Sequence, residues 1–157
     1  MLRLLQGDVG SGKTIVALLT MLNAVECGTQ AAIMAPTEIL AKQHYDTIAP
    51  LCENIGIRAE LLTGRIKGKN RKLLLDDLES GKIDILIGTH ALFQEEVKFR
   101  DLACVIVDEQ HRFGVHQRLS LSNKGNKADI LVMTATPIPR TLVLTAYGDM
   151  ELSLIHI

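Results

Sequence analysis

Short runs of consecutive apolar residues recur along this 157-residue chain, and longer segments with helical periodicity lie between them. Residues 57–62 differ because they alternate apolar and polar side chains, which indicates a less buried strand at the outside of a sheet. The consecutive runs are typical of strands that are covered on both faces of a parallel sheet. These predicted strands lie at residues 2–5, 31–35, 83–87, 103–107 and 130–133.

The segments between the predicted strands show the three-to-four-residue spacing of helices. One helix is predicted through residues 15–25, a second follows Thr37 as its N-cap, and a third covers residues 73–78. Pro50 lies late in the second pattern, and we expect it to kink or end that helix because proline has no N–H to donate. Strands that alternate with helices predict an α/β fold with a three-layer, doubly wound, mostly parallel sheet.

The composition predicts one globular domain without a membrane segment. Apolar residues make up 47% and charged residues 22% of the chain, and 17 basic against 18 acidic residues give a net charge of −1. The apolar run at 15–22 contains Thr20 and is far shorter than the roughly 20 residues that span a bilayer. We find no secretory leader pattern and therefore expect a cytoplasmic protein. The three widely spaced cysteines predict buried or half-buried thiols rather than a disulfide or a zinc site.

Residues 7–14 read GDVGSGKT and match the phosphate-binding pattern G-x-x-x-x-G-K-[ST] at every fixed position. Its glycines allow backbone amides to fold around phosphate oxygens, Lys13 brings a full charge to the β- and γ-phosphates, and the Thr14 hydroxyl can bind Mg²⁺. The pattern predicts a site for a magnesium-bound nucleoside triphosphate. The predicted nucleotide-binding residues are Gly7, Asp8, Val9, Gly10, Ser11, Gly12, Lys13 and Thr14.

Two adjacent acids follow the predicted strand at 103–107. An apolar strand that ends in Asp108 and Glu109 places them at the carboxyl edge of the sheet, where the phosphate loop also lies. We expect Asp108 to hold Mg²⁺, usually through a water, and Glu109 to polarise the hydrolytic water. Together with Lys13 they are the predicted catalytic residues. Without the phosphate loop, two acids at this position would more often be solvated loop residues.

Six short motifs occur in the order that is seen in superfamily 2 helicases, and their amino-acid sequences resemble those of the RecG family. The motifs lie at residues 7–14 (GDVGSGKT), 35–38 (APTE), 63–65 (TGR), 88–90 (GTH), 108–111 (DEQH) and 134–137 (TATP). The resemblance implies a RecA-like P-loop lobe that couples ATP hydrolysis to movement along duplex DNA. It also implies remodelling of forks and Holliday junctions in DNA repair and recombination.

Two alternatives to this interpretation stay open. The transcription-repair coupling translocase shares the phosphate loop and the segment TATPIPRT, but it usually has DEEQRFGV where residues 108–115 here read DEQHRFGV. A non-hydrolytic nucleotide-binding module is the alternative from a different class, and the near-neutral net charge favours it.

The resemblance also implies residues that contact DNA and residues that couple DNA to the nucleotide. The segments after the second, third and fourth strands touch the DNA backbone in such helicases, and the basic segment 65–72 either adds to this contact or is a solvated loop. The implied DNA-contact residues are Pro36, Thr37, Thr63, Gly64, Arg65, Thr89 and His90. The implied coupling residues are Gln110, His111, Thr134 and Thr136, each of which would otherwise have a structural role such as a hydrogen-bonding side chain or an N-cap.

The resemblance finally predicts how much of a helicase this chain represents. Residues 1–152 are expected to be the first ATP-binding lobe, truncated at both ends, and residues 153–157 a poorly matching tail. The expected partners are duplex or branched DNA, together with the second helicase lobe and the wedge domain of the parent protein. Since the second lobe supplies the other wall of the ATP site, we expect the isolated chain to be nearly inactive.

Overall fold

The computed structural model describes residues 2–6, 13–108, 129–134 and 150–154. Within these ranges seven strands form one sheet in the order β3-β4-β2-β5-β6-β1-β7, and every neighbouring pair is parallel. The predicted doubly wound parallel sheet is confirmed. The strands are β1 (Leu2–Gln6), β2 (Gln30–Met34), β3 (Ala59–Leu62), β4 (Ile85–Gly88), β5 (Leu102–Asp108), β6 (Asp129–Thr134) and β7 (Met150–Leu154).

Helices pack on both faces of this sheet. The described helices are α1 (Lys13–Glu26), α2 (Glu38–Asn54) and α3 (Gly68–Glu79), with a 3₁₀ turn at His90–Phe93. Core residues of α1 and α2 pack with Cys104 and Ile106 of β5 on one face, which we call the α1/α2 face. Those of α3 pack with Val105 and Val107 on the opposite face. The alternation of side chains along β5 therefore divides the core into two layers.

The second helix begins as predicted but does not end as predicted. Thr37 is its N-cap, and the Thr37 hydroxyl accepts a hydrogen bond of 3.2 Å from the backbone N–H of Leu40. The helix continues through Pro50 to Asn54, so the expectation that Pro50 would end it is wrong. Pro50 is exposed and lies near the last turn, where the loss of one backbone hydrogen bond leaves the following residues helical.

Some boundaries and elements differ from the sequence predictions. β3 lies at one edge of the sheet, as its alternating pattern predicted. The third helix begins at Gly68 rather than Leu73, because its first turn is polar and carries no apolar signal. The 3₁₀ turn and β7 were not predicted, and β7 pairs with β1 as far as Leu154. The boundary after residue 152 stays a prediction.

The amino edge of the sheet is held together by a buried glutamine. The Gln30 side chain is 4% exposed, and its Nε2 donates to the carbonyl oxygens of Leu78 and Ile83, each at 2.8 Å. Its Oε1 accepts from the backbone N–H of Asp101 at 2.9 Å. One side chain thus joins the end of α3 and the loops before β4 and β5 to the first residue of β2. Among the described residues, no helix has the length and apolar character that a membrane span requires.

Candidate functional site

Three neighbouring strands end at the same level along the carboxyl edge of the sheet. Asp108, the last residue of β5, is paired in register with Met133 of β6, and Met133 is paired with Leu5 of β1. Two strand spacings of roughly 4.8 Å separate β5 from β1, which precedes the predicted phosphate loop.

Some of the predicted site residues lie outside the described residues. They are Gly7, Asp8, Val9, Gly10, Ser11, Gly12, Glu109, Gln110, His111 and Thr136.

The N-terminus of α1 lies at this same edge. The helix joins two parallel strands of one sheet, so it must run antiparallel to them and begin where β1 ends. Lys13 and Thr14 are its first two residues, and Thr134 ends β6 beside Gln6. A helix N-terminus carries partial positive charge and unpaired backbone amides, which suit a phosphate group.

Asp108 lies on the α1/α2 face as well as at the carboxyl edge. The alternation along β5 places it on the same side as Cys104 and Ile106, whose side chains pack against α1 and α2. Its side chain is only 14% exposed, and its Oδ2 lies 2.6 Å from Nε2 of His44 in α2. Asp108 is therefore a nearly buried acid at a strand end, and the alternative of a solvated loop acid is wrong for this residue.

Sequence reasoning missed His44. Its side chain is 12% exposed and Asp108 binds it, although 64 positions separate the two residues in the chain. His44 follows the buried Ala41 by three positions and precedes the buried Ile48 by four, so it falls on the core face of α2. A histidine on the apolar face of a helix was the available signal, because a polar group at such a position requires a partner.

The predicted DNA-contact segments form a row along the same edge. Because the sheet order runs β3-β4-β2, the segments after these strands are neighbours, and they carry Thr63, Thr89 and Pro36 respectively. Thr63 is buried at 7% exposed, whereas Arg65 is exposed at 89%. The sheet brings these segments together, and their contact with DNA stays a prediction. The other residues predicted for this row are Thr37, Gly64 and His90.

Glu38, which was not predicted as a functional residue, connects two of these segments. Its Oε1 accepts a hydrogen bond of 3.3 Å from the backbone N–H of Gly64, and its Oε2 lies 3.4 Å from Nε of Arg65. Both side chains are exposed, and such ion pairs contribute little to stability. The Arg65 guanidinium therefore stays accessible to an anion in solvent.

The basic residues of segment 65–72 differ in their exposure and in their partners. Arg71 is only 17% exposed and binds Glu96, with an Nε–Oε1 distance of 3.1 Å, and also Gln94. Lys67, Lys69 and Lys72 are exposed. Arg71 is thus a structural residue that holds α3 to the loop before β5, and the exposed members of the segment are the ones that can meet an anion.

The donor set at Asp108 fits a magnesium ion better than a transition metal. Among the described residues, no three His, Cys, Asp or Glu side chains cluster in a way that would hold a metal. Magnesium in nucleotide sites is typically bound by one carboxylate, a hydroxyl and phosphate oxygens, with waters completing its shell. Asp108 at the end of β5 is a carboxylate of that type, and Thr14, a hydroxyl residue, is the second residue of α1.

The described thiols are poor candidates for catalysis. Cys104 is buried, and burial, with Asp129 adding to it, raises the pKa of its thiol to about 12. Burial also raises the pKa of Cys52. Cys27 is exposed, so the expectation that all three thiols are buried or half-buried is wrong for this residue. A thiol is nucleophilic as its thiolate, which the burial of Cys52 and Cys104 disfavours.

Comparisons with known proteins agree with this arrangement. Residues 3–144 match the DEAD/DEAH box helicase family. The chain is 58% identical over 153 residues to the ATP-dependent DNA helicase RecG of Bacillus subtilis (strain 168), covering 98% of this chain and 22% of the relative. It is 56% identical over 159 residues to RecG of Haemophilus influenzae, covering 99% and 23%. A solved structure of RecG bound to a three-way DNA junction matches with a TM-score of 0.84 and 46% identity, covering 99% of this chain and 21% of that one.

Proposed function

Because the chain belongs to the DEAD/DEAH box helicase family, we propose that it is the ATP-binding lobe of a DNA helicase that couples ATP hydrolysis to movement on duplex DNA. The observation that carries the proposal is the position of Asp108. Asp108 lies at the carboxyl edge of the sheet and on its α1/α2 face. The helix that begins with Lys13 starts at the same edge and packs on the same face. A metal-binding acid and a phosphate-binding helix N-terminus must meet in this way to bind one magnesium nucleotide.

In this proposal each site residue has a separate role in ATP hydrolysis. The backbone of Gly7 to Thr14 cradles the phosphates, and Lys13 neutralises charge on the β- and γ-phosphates. Thr14 and Asp108 hold Mg²⁺, which when bound neutralises the charge that develops on the phosphate oxygens. Glu109, the next residue after β5, orients and polarises the attacking water.

The same proposal assigns DNA binding to the row of segments beside the nucleotide. Backbone amides and hydroxyls at helix and loop starts contact phosphates without reading the base sequence. Because the Thr37 hydroxyl accepts from Leu40, its own proton is left to donate to a DNA phosphate. Arg65 adds a positive charge that is 89% exposed. The further contacts are Pro36, Thr63, Gly64, Thr89 and His90, and the coupling residues are Gln110, His111, Thr134 and Thr136.

The chain spans less than a quarter of the length of the curated relatives it matches. We therefore propose that the parent protein supplies a second helicase lobe and a wedge domain, and that it remodels forks and Holliday junctions in the cytoplasm during repair and recombination. The names of the RecG relatives, and the DNA junction in the similar solved structure, support this finer proposal. For the chain alone we predict weak nucleotide binding and little hydrolysis.

The full-length parent protein, assayed with branched DNA, duplex DNA and single strands, tests the proposal. We expect ATP hydrolysis that branched or duplex DNA stimulates more than single strands do. The Lys13→Ala variant should lose nucleotide binding, and Glu109→Gln should bind ATP but hydrolyse it about 100-fold more slowly. Hydrolysis at the wild-type rate by Glu109→Gln would contradict the assigned chemistry, and a lack of DNA stimulation in the wild type would contradict the helicase proposal.

A further inference from the structure

We infer that His44 is a positioning residue that holds the Asp108 carboxylate and links it to the DNA-facing end of α2. The inference rests on the proposed function, in which Asp108 binds Mg²⁺ and the loop before α2 binds DNA. His44 extends that site to a residue outside the six helicase motifs.

The contact between the two side chains is short and sheltered from solvent. His44 Nε2 lies 2.6 Å from Asp108 Oδ2, and the two side chains are 12% and 14% exposed. A carboxylate can only accept, so Nε2 carries the proton and donates it. A hydrogen bond to a charged oxygen is stronger when water is excluded, and it restricts both side chains to one rotamer. In the part of the chain that the structure describes, Asp108 is the one hydrogen-bond partner of the His44 side chain.

This bond distinguishes the two oxygens of Asp108. Among the described residues His44 contacts Oδ2 and no contact is described for Oδ1, so in this inference Oδ1 is the oxygen that would meet Mg²⁺ or one of its waters. His44 belongs to α2, which packs on the same face of the sheet as α1, and its bond restricts the rotation of the Asp108 carboxylate. Residues that orient a metal ligand in this way affect metal affinity without touching the metal.

The same helix reaches the predicted DNA contacts. Its N-cap Thr37 precedes His44 by seven positions, which corresponds to about two turns and roughly 10 Å of helix. Ala41, Ile48 and Cys52 anchor α2 in the core, and the backbone hydrogen bonds of a helix keep Thr37 and His44 at a fixed separation. A phosphate that binds at Thr37 and shifts α2 would therefore move His44, and with it the Asp108 carboxylate. The geometry supplies a direct connection from the DNA backbone to the metal-binding acid.

Three variants of the full-length parent protein test the inference. His44→Leu removes the donor, whereas His44→Gln keeps an N–H donor near the position of Nε2. Cys52→Ala is the matched control, because Cys52 is fully buried in the same helix and core but does not contact Asp108. Each variant is assayed for kcat and KM of ATP hydrolysis with and without duplex DNA. A Mg²⁺ titration of the binding of a fluorescent, non-hydrolysable ATP analogue gives a readout that does not depend on turnover.

We expect His44→Leu to lower the DNA-stimulated kcat about 10-fold or more, and to raise the Mg²⁺ concentration for half-maximal analogue binding by about the same factor. The KM for ATP should change less than 3-fold, since the inference gives His44 a role at the metal ligand and none at the phosphates. His44→Gln should recover most of both quantities. Cys52→Ala should lower the unfolding temperature and leave the Mg²⁺ midpoint and the DNA stimulation unchanged.

Several results would overturn the inference. A wild-type Mg²⁺ midpoint and wild-type DNA stimulation in His44→Leu would contradict it and leave the proposed function intact. Equal losses in His44→Leu and His44→Gln, or the same losses in Cys52→Ala, would show that His44 only stabilises the helix. If the wild-type protein neither bound the analogue nor responded to DNA, the proposed function would fail together with the inference.

Discussion

Polar side chains at the amino edge of the sheet bind loops of the same chain, whereas those at the carboxyl edge lie beside the segments that carry the helicase motifs. Gln30 at the amino edge makes three hydrogen bonds to backbone groups, which use both ends of its amide. Asp108 at the carboxyl edge has one described partner, His44, at one of its two oxygens. Among the described residues, the hydrogen-bonding capacity that a polar group retains, rather than its type or burial alone, therefore separates a stabilising polar group from one that can bind a ligand.

The largest expected effect comes from changing the carboxyl edge at Asp108. In Asp108→Asn the amide oxygen can still accept from His44, so the fold should be retained, but the charge that holds Mg²⁺ is lost. We expect DNA-stimulated kcat of the full-length protein to fall about 100-fold or more, with a change in the free energy of unfolding of less than about 1 kcal/mol. Steady-state hydrolysis and urea unfolding measure the two quantities. Activity within 3-fold of wild type would remove Asp108 from the metal site.

The opposite result is expected at the amino edge. Gln30→Leu removes the described partner of the Ile83 carbonyl oxygen and of the Asp101 backbone N–H, and each such buried group costs about 1–3 kcal/mol. The Leu78 carbonyl oxygen loses the glutamine but still accepts from the Gly81 N–H at 3.2 Å. Because the loops can relax toward water, we expect the free energy of unfolding to fall by about 2–4 kcal/mol in total. The kcat measured well below the unfolding transition should stay within 2-fold of wild type.

A second glutamine provides the control for this change. Gln43→Leu makes the same substitution at an exposed position of α2, and we expect it to alter the free energy of unfolding by less than about 0.5 kcal/mol. If Gln30→Leu lowered the free energy of unfolding no more than Gln43→Leu does, the stability of the amino edge would not depend on the buried Gln30 amide. If Gln30→Leu reduced kcat and left stability unchanged, the contrast between the two edges would be wrong.

Much of the fold followed from the sequence because the central strands β2, β4 and β5 are buried along nearly their whole length. Continuous apolar runs such as 103–107 predicted strands, and the alternating run at 57–62 correctly predicted an edge strand. The two acids after the fifth strand placed Asp108 at the carboxyl edge, where the structure has it. The start of α3 escaped prediction because its first turn is polar and exposed, and the 3₁₀ turn because its four residues are too few to show a repeating apolar pattern.

The polar partners could not be predicted in the same way. His44 meets Asp108 across 64 positions, and Gln30 meets Leu78 across 48. Such pairs depend on sheet order and on helix direction, and no local spacing encodes them. Glu38 likewise meets Gly64 only because the loops after β2 and β3 lie along one edge. Which residues carry the chemistry stays a prediction from the sequence, whereas the residues that contact them, such as His44, emerged only from the packed structure.

A smaller effect is expected for the exposed charge at the carboxyl edge. Arg65→Ala removes a guanidinium that is 89% exposed, so DNA affinity of the full-length protein should fall about 3-fold at moderate salt. The slope of log affinity against log salt should become shallower by about one unit, because one fewer phosphate is neutralised. Fluorescence anisotropy with labelled junction DNA across a salt series measures both.

Arg71 is the matched control for Arg65. It belongs to the same basic segment but is bound to Glu96 and Gln94, and it is only 17% exposed. Arg71→Ala should therefore leave the salt slope of DNA binding unchanged while lowering stability. An unchanged DNA affinity and salt slope in Arg65→Ala would remove Arg65 from the DNA contact. If Arg71→Ala lost as much DNA affinity as Arg65→Ala, the basic segment 65–72 would bind DNA as a diffuse charge.

The smallest effect is expected for Arg58 at the amino edge. Its substitution tests whether exposed ion pairs stabilise that edge as much as buried hydrogen bonds do. Arg58 pairs with Asp77 at 2.8 Å and with Glu60 at 3.1 Å, but its side chain is 42% exposed. Solvent screens exposed pairs, so Arg58→Ala should lower the free energy of unfolding by less than about 1 kcal/mol. In urea unfolding the difference from wild type should shrink further in 1 M NaCl, where the screening length is about 3 Å. A loss as large as that of Gln30→Leu, or one that salt leaves unchanged, would mean that the exposed ion pairs stabilise this edge as strongly as the buried amide does.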